Sequence, residues 1–282
     1  MQDNFKIRTM SRKDLDLAVD WAAREGWNPG LYDAESFYAA DPQGFFIGEL
    51  NSEPVSTVSA VRYGKTFGFL GFYIVRPEYR GKNYGILTGK AGFEYLSGRN
   101  IGLDGVVAQQ DNYKKSGFKI AHRNMRYEGV TGGNMPNKDS IIRLTDIPFD
   151  VTEYYDRCFF PDQRTNFLKA WLRQPESQAL GILEKGKLAG YGMIRKCRSG
   201  YKIGPLFADN AEIAETLFLA LKTGVKSEEP VFLDIPELNP DALALVNKHS
   251  MNFIFETARM YTGPAPHLPM DKLYGITSFE LG

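Results

Sequence analysis

The chain has 282 residues, and its 34 lysines and arginines balance its 34 aspartates and glutamates. This length exceeds what one hydrophobic core usually organises, so it predicts two domains of ordinary size. A net charge of zero provides no overall field to attract nucleic acid or an anionic membrane, which argues against both as partners.

The sequence also argues against a membrane span, a signal peptide, a disulfide framework and a metal site. No apolar run approaches the roughly 18 residues of a membrane span, and the opening M-Q-D-N-F-K lacks the pattern of a signal peptide, so a soluble, cytoplasmic protein is expected. Cys158 and Cys197 form no C-x-x-C pair. The histidines, which have no metal-ligand spacing, are His122, His249 and His267. The sequence therefore predicts no disulfide framework and no metal site.

The first half alternates strand and helix periodicity. An amphipathic helix begins at Ser11 and Asp14 and is broken by G-W-N-P-G at 26–30. The other predicted elements are a strand at 5–10, a helix at 33–40, strands at 44–50, 53–63 and 67–75, a helix at 85–97, and strands at 100–107 and 123–129. This order predicts a mixed α/β (α+β) fold, with helices on both faces of a twisted sheet.

The second half repeats this order after a Gly-, Pro- and Asn-rich linker at 131–139. The predicted elements are a strand I-I-R-L-T-D, helices within 149–173, strands at 178–184, 187–195 and 201–207, a helix at 210–223, a strand V-F-L-D-I-P, a helix N-P-D-A-L-A-L-V-N-K-H and a closing strand F-I-F-E-T-A-R-M-Y. G-L-D-G-V (102–106) parallels F-L-D-I-P (232–236). The chain is therefore interpreted as a divergent tandem duplication, with domains at 1–132 and 140–282.

A basic, glycine-containing turn, R-P-E-Y-R-G-K-N-Y-G (76–85), follows the apolar run F-G-F-L-G-F-Y-I-V. A strand that enters such a loop and then a helix suits phosphate, because backbone N–H groups converge there and the helix N-terminus adds positive potential. The turn fits neither the P-loop nor the G-x-G-x-x-G pattern. A basic turn with a solvated face is the alternative interpretation.

The segment I-V-R-P-E-Y-R-G-K-N-Y-G resembles the signature of the GNAT acyltransferases, in which Arg or Gln opens R-x-x-G-x-G and the loop amides hold the pyrophosphate of coenzyme A. On this resemblance Arg80 opens the motif, Gly85 closes it, and Asn83 stands at the middle glycine. Asn tolerates left-handed backbone better than other non-glycine residues. The resemblance implies an acetyl-CoA site formed by Tyr73, Ile74, Val75, Arg80, Gly81, Lys82, Asn83, Tyr84, Gly85 and Ile86.

A second motif, N-Y-K-K-S-G-F (112–118), resembles the family's Y-x-x-x-G-F element, whose tyrosine lies near the thioester sulfur. The resemblance implies that Tyr113 is the acid that protonates the leaving thiolate. Reference pKa values of about 8.5 for a thiol and about 10 for tyrosine make this exchange feasible. A partly buried packing role is the alternative.

The acceptor side is less defined. In this family the acceptor usually enters beside the loop that joins the first two helices, here E-G-W-N-P-G-L-Y-D, where Trp27 and Tyr32 could form an aromatic wall or could plug the core. Asp104 could serve as the base or bind an ammonium group. Because Asp234 repeats Asp104 in the second half, a structural role is an equal alternative.

The second half resembles the same fold without the cofactor machinery. Its corresponding turn, D-N-A-E (209–212), is acidic and lacks glycine, and Val246 occupies the place of the tyrosine. The whole chain thus resembles tandem-GNAT proteins: two GNAT-like domains, each with a mixed, mostly antiparallel sheet, the second degenerate.

The resulting prediction is an acetyl-CoA-dependent N-acyltransferase. It acts on a small-molecule amine by direct attack on the thioester, as a monomer or homodimer, without a metal. One alternative is a coenzyme A-binding sensor or interaction protein without transfer activity. The other is an aminoacyl-transfer enzyme on a double-GNAT scaffold, whose RNA or lipid-linked donors would favour a basic groove.

Overall fold

The computed structural model of the protein describes residues 4–136 and 140–282. The strands are β1 (Phe5–Thr9), β2 (Phe45–Leu50), β3 (Glu53–Tyr63), β4 (Phe67–Val75), β5 (Asn100–Val106), β6 (Lys119–Val130), β7 (Ile141–Arg143), β8 (Ser177–Glu184), β9 (Lys187–Lys196), β10 (Tyr201–Ala208), β11 (Pro230–Pro236), β12 (Asn252–Tyr261) and β13 (Leu273–Gly275). The helices are α1 (Arg12–Arg24), α2 (Asp33–Ala40), α3 (Tyr84–Tyr95), α4 (Gln110–Lys115), α5 (Phe149–Asp156), α6 (Thr165–Trp171), α7 (Ala211–Thr223) and α8 (Pro240–Lys248).

Helix α1 shows how local sequence sets these elements. The Ser11 side chain accepts a hydrogen bond from the backbone N–H of Asp14, whose carboxylate accepts one from the Ser11 backbone, so the predicted helix start is a capping box. Its buried stripe consists of Leu15, Ala18, Val19, Trp21 and Ala22. The helix therefore buries one face against the sheet, as its 3.6-residue period requires.

The strands form one continuous sheet. Their order is β1-β2-β3-β4-β5-β12-β6-β11-β10-β9-β8-β7, and β13 pairs with β10 beside this path. The parallel pairs are β4/β5 and β10/β11, and the remaining pairs are antiparallel. The predicted mixed, mostly antiparallel fold is thus confirmed.

The two halves exchange their last long strands, which the sequence did not predict. Strand β12 of the second half lies between β5 and β6 of the first, while β6 pairs with β11 of the second. The duplicated halves therefore share one sheet, and residues 119–130 of the predicted first domain extend the sheet of the second half.

Two buried ion pairs lie at equivalent places in this exchange. Asp104 on β5 lies directly opposite Arg259 on β12, with 2.7 Å between carboxylate and guanidinium. Asp234 on β11 lies directly opposite Arg126 on β6, also at 2.7 Å. Each aspartate thus pairs with an arginine on the last strand of the other half. A buried pair whose register is correct favours this strand arrangement over a shifted one.

The connecting segments differ in detail from the prediction. Of the predicted strand over 141–146, only Ile141–Arg143 is a strand, and Leu144–Asp146 form a 3₁₀ turn. Strand β13 was not predicted. The linker begins as ordered chain, since the Thr131 backbone N–H donates to the Glu229 carbonyl at 2.9 Å. Residues 137–139 of the linker, and residues 1–3 of the predicted start, lie outside the described residues.

The first half has a core on each face of the sheet, and residues of the second half contribute to both. Phe37 of α2 and Phe72 of β4 pack in the core beneath α1 and α2, and Phe37 stacks on Trp171 of α6 with ring centroids 5.9 Å apart. Leu70 faces the opposite core, beneath α3. Within the described residues, no helix is long and apolar enough to cross a membrane.

His122 on β6 predicts a specific pH dependence of stability. It is buried, and burial together with nearby Arg259 lowers its pKa to about 3. The unfolded chain, with a histidine pKa near ~6.5, binds a proton that the folded chain does not, so stability falls as the pH is lowered through this window, by up to about 1.4 kcal/mol per pH unit. Urea unfolding at pH 7, 6 and 5 should show this slope, and His122→Gln should flatten it. An unchanged slope in the variant would assign the acid sensitivity to other groups.

Candidate active site

The candidate site begins where β4 and β5 stop pairing. Their parallel pairing ends at Leu70 opposite Leu103, although both strands continue. Just beyond, Phe72 has φ 45°, and the register with β3 shifts between Thr57 and Ser59. The Thr57 hydroxyl donates to the Phe72 carbonyl at 2.8 Å and stabilises this irregularity. A bulge of this kind re-aims the strand and leaves a gap beside it.

The loop after β4 presents unused backbone donors at the start of α3. Gly81 has φ 75° and Asn83 has φ 65°, and the Asn83 side chain does not cap the helix. Among the described residues, none accepts a hydrogen bond from the backbone N–H groups of 81–86, whereas those of Arg80 and Leu87 on either side are paired. Six consecutive free N–H groups at a helix N-terminus form an anion-binding arrangement. The structure thus brings together the backbone of the predicted pyrophosphate loop.

The two cations of this loop differ in their availability. The Arg80 guanidinium donates to the Val75 carbonyl at 2.9 Å and pairs with Glu25 at the end of α1, so it ties the loop to the first helix. The Lys82 ammonium lies 5.4 Å from the centre of the Tyr79 ring and forms no ion pair with a described residue. Lys82 is therefore the more available charge for a bound anion, whereas the motif alone favoured Arg80.

Glycines on α3 allow the helix to lie close to β4. A Cβ atom at Gly85 would lie 2.6 Å from Val75 Cγ2, and one at Gly89 would lie 2.6 Å from Tyr73 Cε2. Gly85 is thus required for helix–strand packing. Gly89 was missed, although its four-residue spacing from Gly85 places both on one helix face.

The other predicted cofactor residues occupy different surroundings. Tyr73 is 40% exposed beside α3, whereas Ile74 is buried toward α1 and α2, so only its backbone is available to a ligand. The Tyr84 ring packs on Phe5, with centroids 4.8 Å apart. Ile86, in the first turn of α3, is 66% exposed. An exposed apolar side chain beside free amides suits contact with an extended ligand that has both polar and apolar parts.

Tyr113 on α4 lies on the opposite side of the gap. Its ring packs against Gly105 of β5, where a Cβ atom would be 2.7 Å from Tyr113 Cε2, and against Phe118 with centroids 6.3 Å apart. Burial, and to a smaller extent nearby Tyr73, raise the pKa of Tyr113 to about 12. The phenol is therefore protonated throughout the neutral and mildly alkaline range, as a proton donor must be.

Asp104 is engaged in structural contacts. Its carboxylate accepts hydrogen bonds from Arg259 Nε at 2.9 Å and Nη2 at 2.7 Å, and from Asn124 Nδ2 at 2.8 Å, and its side chain is 0% exposed. A carboxylate held by three donors and sealed from solvent is poorly placed to take a proton from a substrate. These contacts favour the structural alternative over a catalytic base.

Trp27 and Tyr32 do not form one wall. Trp27 packs against the core beneath α1 and α2, and its carbonyl accepts a hydrogen bond from Arg126 at 2.8 Å. The Tyr32 hydroxyl donates to Glu176 at 2.8 Å, and Tyr32 lines an open groove of about 730 Å³ between α2 and α6. This groove lies between the two halves. Their hydrogen-bond partners, Arg126 for Trp27 and Glu176 for Tyr32, lie in or beside the second half rather than in the loop at 81–86.

The equivalent place in the second half is already filled. Asn210 caps α7 by accepting a hydrogen bond from the Ile213 backbone N–H at 3.0 Å. The parallel pairing of β10 and β11 ends at Ile203 opposite Leu233, and β13 pairs with β10 beyond that point, at Leu206 and Gly275. The chain itself thus occupies the gap that is left free between β4 and β5. We infer that the second half does not hold a second molecule of the same ligand.

Two family models match the chain in tandem. One described as "Acetyltransferase (GNAT) family" covers residues 13–118, and one described as "Acetyltransferase (GNAT) domain" covers residues 152–275. The holothin acyltransferase of Pseudoalteromonas sp. (strain SANK 73390) is 32% identical over 272 residues, which are 96% of this chain and 92% of that protein. The chain belongs to the GNAT family.

Solved structures support the tandem arrangement of this GNAT protein. A putative acetyltransferase from Pyrococcus horikoshii has a TM-score of 0.83 at 24% identity, over 99% of this chain and 96% of that one. A tandem GNAT protein from the clavulanic acid biosynthesis pathway has a TM-score of 0.67 at 14% identity, over 93% of this chain and 100% of that one. The fold is therefore a tandem GNAT fold, and the family is one of enzymes that transfer acyl groups.

Proposed function

We propose that this GNAT protein transfers an acetyl group from acetyl-CoA to the amine of a small molecule in one direct step. The observation that carries the proposal is the row of free N–H groups at 81–86, which follows β4, together with the end of the β4/β5 pairing and Tyr113 packed on β5. An anion-binding loop, an open strand gap and a protonated phenol are what a pyrophosphate-containing thioester donor requires.

The residues present fit such a donor. The amides of 81–86 and the Lys82 ammonium would hold the pyrophosphate, exposed Ile86 would contact its apolar part, and a backbone N–H near Ile74 would polarise the thioester carbonyl. Bound acetyl-CoA supplies an acetyl group that is activated as a thioester. The protein contributes the position of that group and the exclusion of water around it.

In the proposed reaction the neutral amine forms a C–N bond to the acetyl carbon while the C–S bond breaks. With a Tyr113 pKa of about 12, complete proton transfer to a thiolate of pKa ~8.5 is uphill by roughly 5 kcal/mol. Tyr113 therefore donates a hydrogen bond to the developing thiolate and keeps its own proton, and the proton that the amine loses passes through solvent to the thiolate, which becomes the free thiol. The products are an amide and free coenzyme A, and the protons balance.

The acceptor is proposed to be a small molecule rather than nucleic acid or a membrane. Equal numbers of acidic and basic residues provide no general attraction for polyanions. The related acyltransferase is named for holothin, so holothin is the first acceptor to test. Benzylamine and tyramine complete a panel of compact primary amines.

The test is an acetyl-transfer assay with acetyl-CoA and each amine of the panel. We expect one equivalent of free thiol for each acetylated amine, identified by mass spectrometry, and no thiol release when the amine is omitted. Binding of acetyl-CoA without transfer to any amine would contradict the proposal and favour the sensor alternative. Thiol release that is independent of the amine would indicate a thioesterase instead.

A further inference from the structure

The groove of about 730 Å³ between α2 and α6 is formed by one face of each helix. Lining residues on each side recur at spacings of four and three, which place them on the same face of a helix. They are Tyr32, Ser36 and Ala39 at α2, and Asn166, Ala170 and Arg173 at α6. Phe37 and Trp171 of the same helices stack in the core, where Phe37 also contacts Phe72 of β4. The groove therefore lies on the outer side of the helix pair, and this aromatic layer separates it from β4.

The most buried lining residues form a polar contact between the two halves. The Gln174 side-chain amide donates a hydrogen bond to Ser36 Oγ at 3.1 Å, and the two residues are 7% and 0% exposed. A serine hydroxyl can also donate, but within residues 4–136 and 140–282 no group accepts a hydrogen bond from that of Ser36. Buried hydroxyl groups in native structures are normally hydrogen-bonded, so this donor is available to a ligand in the groove.

The charged groups of the groove are mainly basic. On the α6 side, Lys169 and Arg173 are exposed, and neither has an ion pair within the part of the chain that the structure describes. The Lys169 ammonium lies 5.1 Å from the centre of the Phe149 ring. Glu35, the acidic residue of the lining, accepts a hydrogen bond from Arg12 Nε at 2.8 Å. Two cations without a counter-charge therefore line a groove whose acid is already paired, which favours an anionic ligand.

Apolar and aromatic groups complete the lining. Leu31 on the side of the first half is 39% exposed, and Pro175 on the side of the second half is also exposed. The Tyr32 hydroxyl is held by Glu176 beside the groove, which leaves the ring as a contact surface. Small-molecule sites typically have volumes of about 300–1,000 Å³, lie between domains and combine an apolar lining with a few polar groups. The volume, place and lining of this groove all fit that description.

We propose that the groove binds a small organic anion with an apolar body and one carboxylate, and that this ligand bridges the two halves. Lys169 and Arg173 would pair with its carboxylate, and the Ser36 hydroxyl would supply a further donor. Leu31 and Pro175 would contact its apolar body. The site is separate from the gap between β4 and β5. The inference therefore goes beyond the proposed function and does not depend on it.

The test is calorimetric titration with 1-naphthylacetate, and with 1-naphthylacetamide as a neutral probe of nearly the same shape. We expect one site per chain with a Kd for the acid below about 1 mM, and binding of the amide at least about tenfold weaker. The same Kd is expected when acetyl-CoA is present in excess. Absence of binding to the wild type, or equal affinity for the two probes, would overturn the inference. Loss of binding in excess acetyl-CoA would place the probe in the donor gap, and would overturn it as well.

Variants test where the probe binds. Lys169→Gln combined with Arg173→Gln should weaken binding of 1-naphthylacetate at least about tenfold, because both proposed partners of the carboxylate lose their charge. Arg157→Gln combined with Lys187→Gln removes the same two charge types from exposed positions outside the groove, and should keep the Kd within about twofold of wild type. Ala170→Leu keeps every charge but fills part of the groove, and should weaken binding of both probes. Equal weakening by the two charge variants, or unchanged binding in the groove variants, would contradict the site.

Discussion

Replacement of Tyr113 by phenylalanine is expected to lower the turnover number at least roughly tenfold, with the Kd of acetyl-CoA changed by less than about twofold. The phenylalanine ring keeps the packing against Gly105 and Phe118, so the fold and the gap should persist. Only the proton donor facing the gap is removed. Steady-state kinetics and calorimetry on the same preparations measure the two effects separately.

A matched control is available on α3. Tyr84→Phe also removes one phenolic hydroxyl, from a ring that packs on Phe5 and Tyr79 rather than across the gap, and should leave turnover unchanged. Equal losses of turnover and affinity in Tyr113→Phe would indicate a binding role, and unchanged turnover would refute its role as hydrogen-bond donor to the thiolate. Because the pKa of Tyr113 is raised to about 12, its ionisation should cause no fall in wild-type activity between about pH 7 and 10.

Asp104→Ala is expected to lower the free energy of unfolding by about 3–5 kcal/mol, because it leaves the buried guanidinium of Arg259 without its counter-charge. The side chains of the pair are 0% and 8% exposed, so water cannot replace the carboxylate. The loss should appear as a lower urea midpoint at constant m-value. Adding Arg259→Met to the same chain should restore most of the stability, since the unpaired charge is then gone.

An exposed ion pair provides the control for this effect. Asp111→Ala breaks a contact with Lys114 in which the aspartate side chain is 87% exposed, and it should cost less than about 1 kcal/mol. If Asp104→Ala retained native stability but lost activity selectively, Asp104 would be the base and the structural assignment would be wrong.

Most elements could be predicted because their signals are local. The helix at 33–40 and the strands at 53–63 and 67–75 match the structure at both ends, since period and turn residues define them within a few positions. The tandem duplication was also visible, from repeated order and the G-L-D-G-V and F-L-D-I-P segments. Strand β13 was missed because L-Y-G is too short to show a period.

The strand exchange could not be predicted from the alternation of apolar and polar residues. That alternation in β6 and β12 would be the same whichever half each strand joined. A signal was nevertheless present. The aspartates at 104 and 234 recur in both halves. Each half also has an arginine at a similar place, since Arg126 begins R-Y-E-G (126–129) and Arg259 immediately precedes M-Y-T-G (260–263). Their buried pairing across halves explains why the aspartates repeat, which the sequence alone left open between catalysis and structure.

In the site too, a local motif predicts some features, whereas others depend on residues far apart in the chain. The motif at 80–85 correctly located a loop with free amides, because that geometry is encoded within six residues. The tie between Arg80 and Glu25 depends on residues far apart in the chain, so no local pattern reveals it. For the same reason the sequence left Trp27 and Tyr32 open between an aromatic wall and a plug of the core, whereas the structure places Trp27 against the core and Tyr32 at the groove between α2 and α6.

The most direct test of the donor site is calorimetric titration of the wild type with acetyl-CoA, alongside Lys82→Glu and Lys90→Glu. The two variants make the same charge change, one in the loop and the other within α3. We predict one site per chain with micromolar affinity, weakened at least about tenfold in Lys82→Glu and within about twofold of wild type in Lys90→Glu. Absence of binding to the wild type, or equal weakening by both variants, would contradict a donor site at 81–86. Two sites per chain would contradict the inference that the second half is filled.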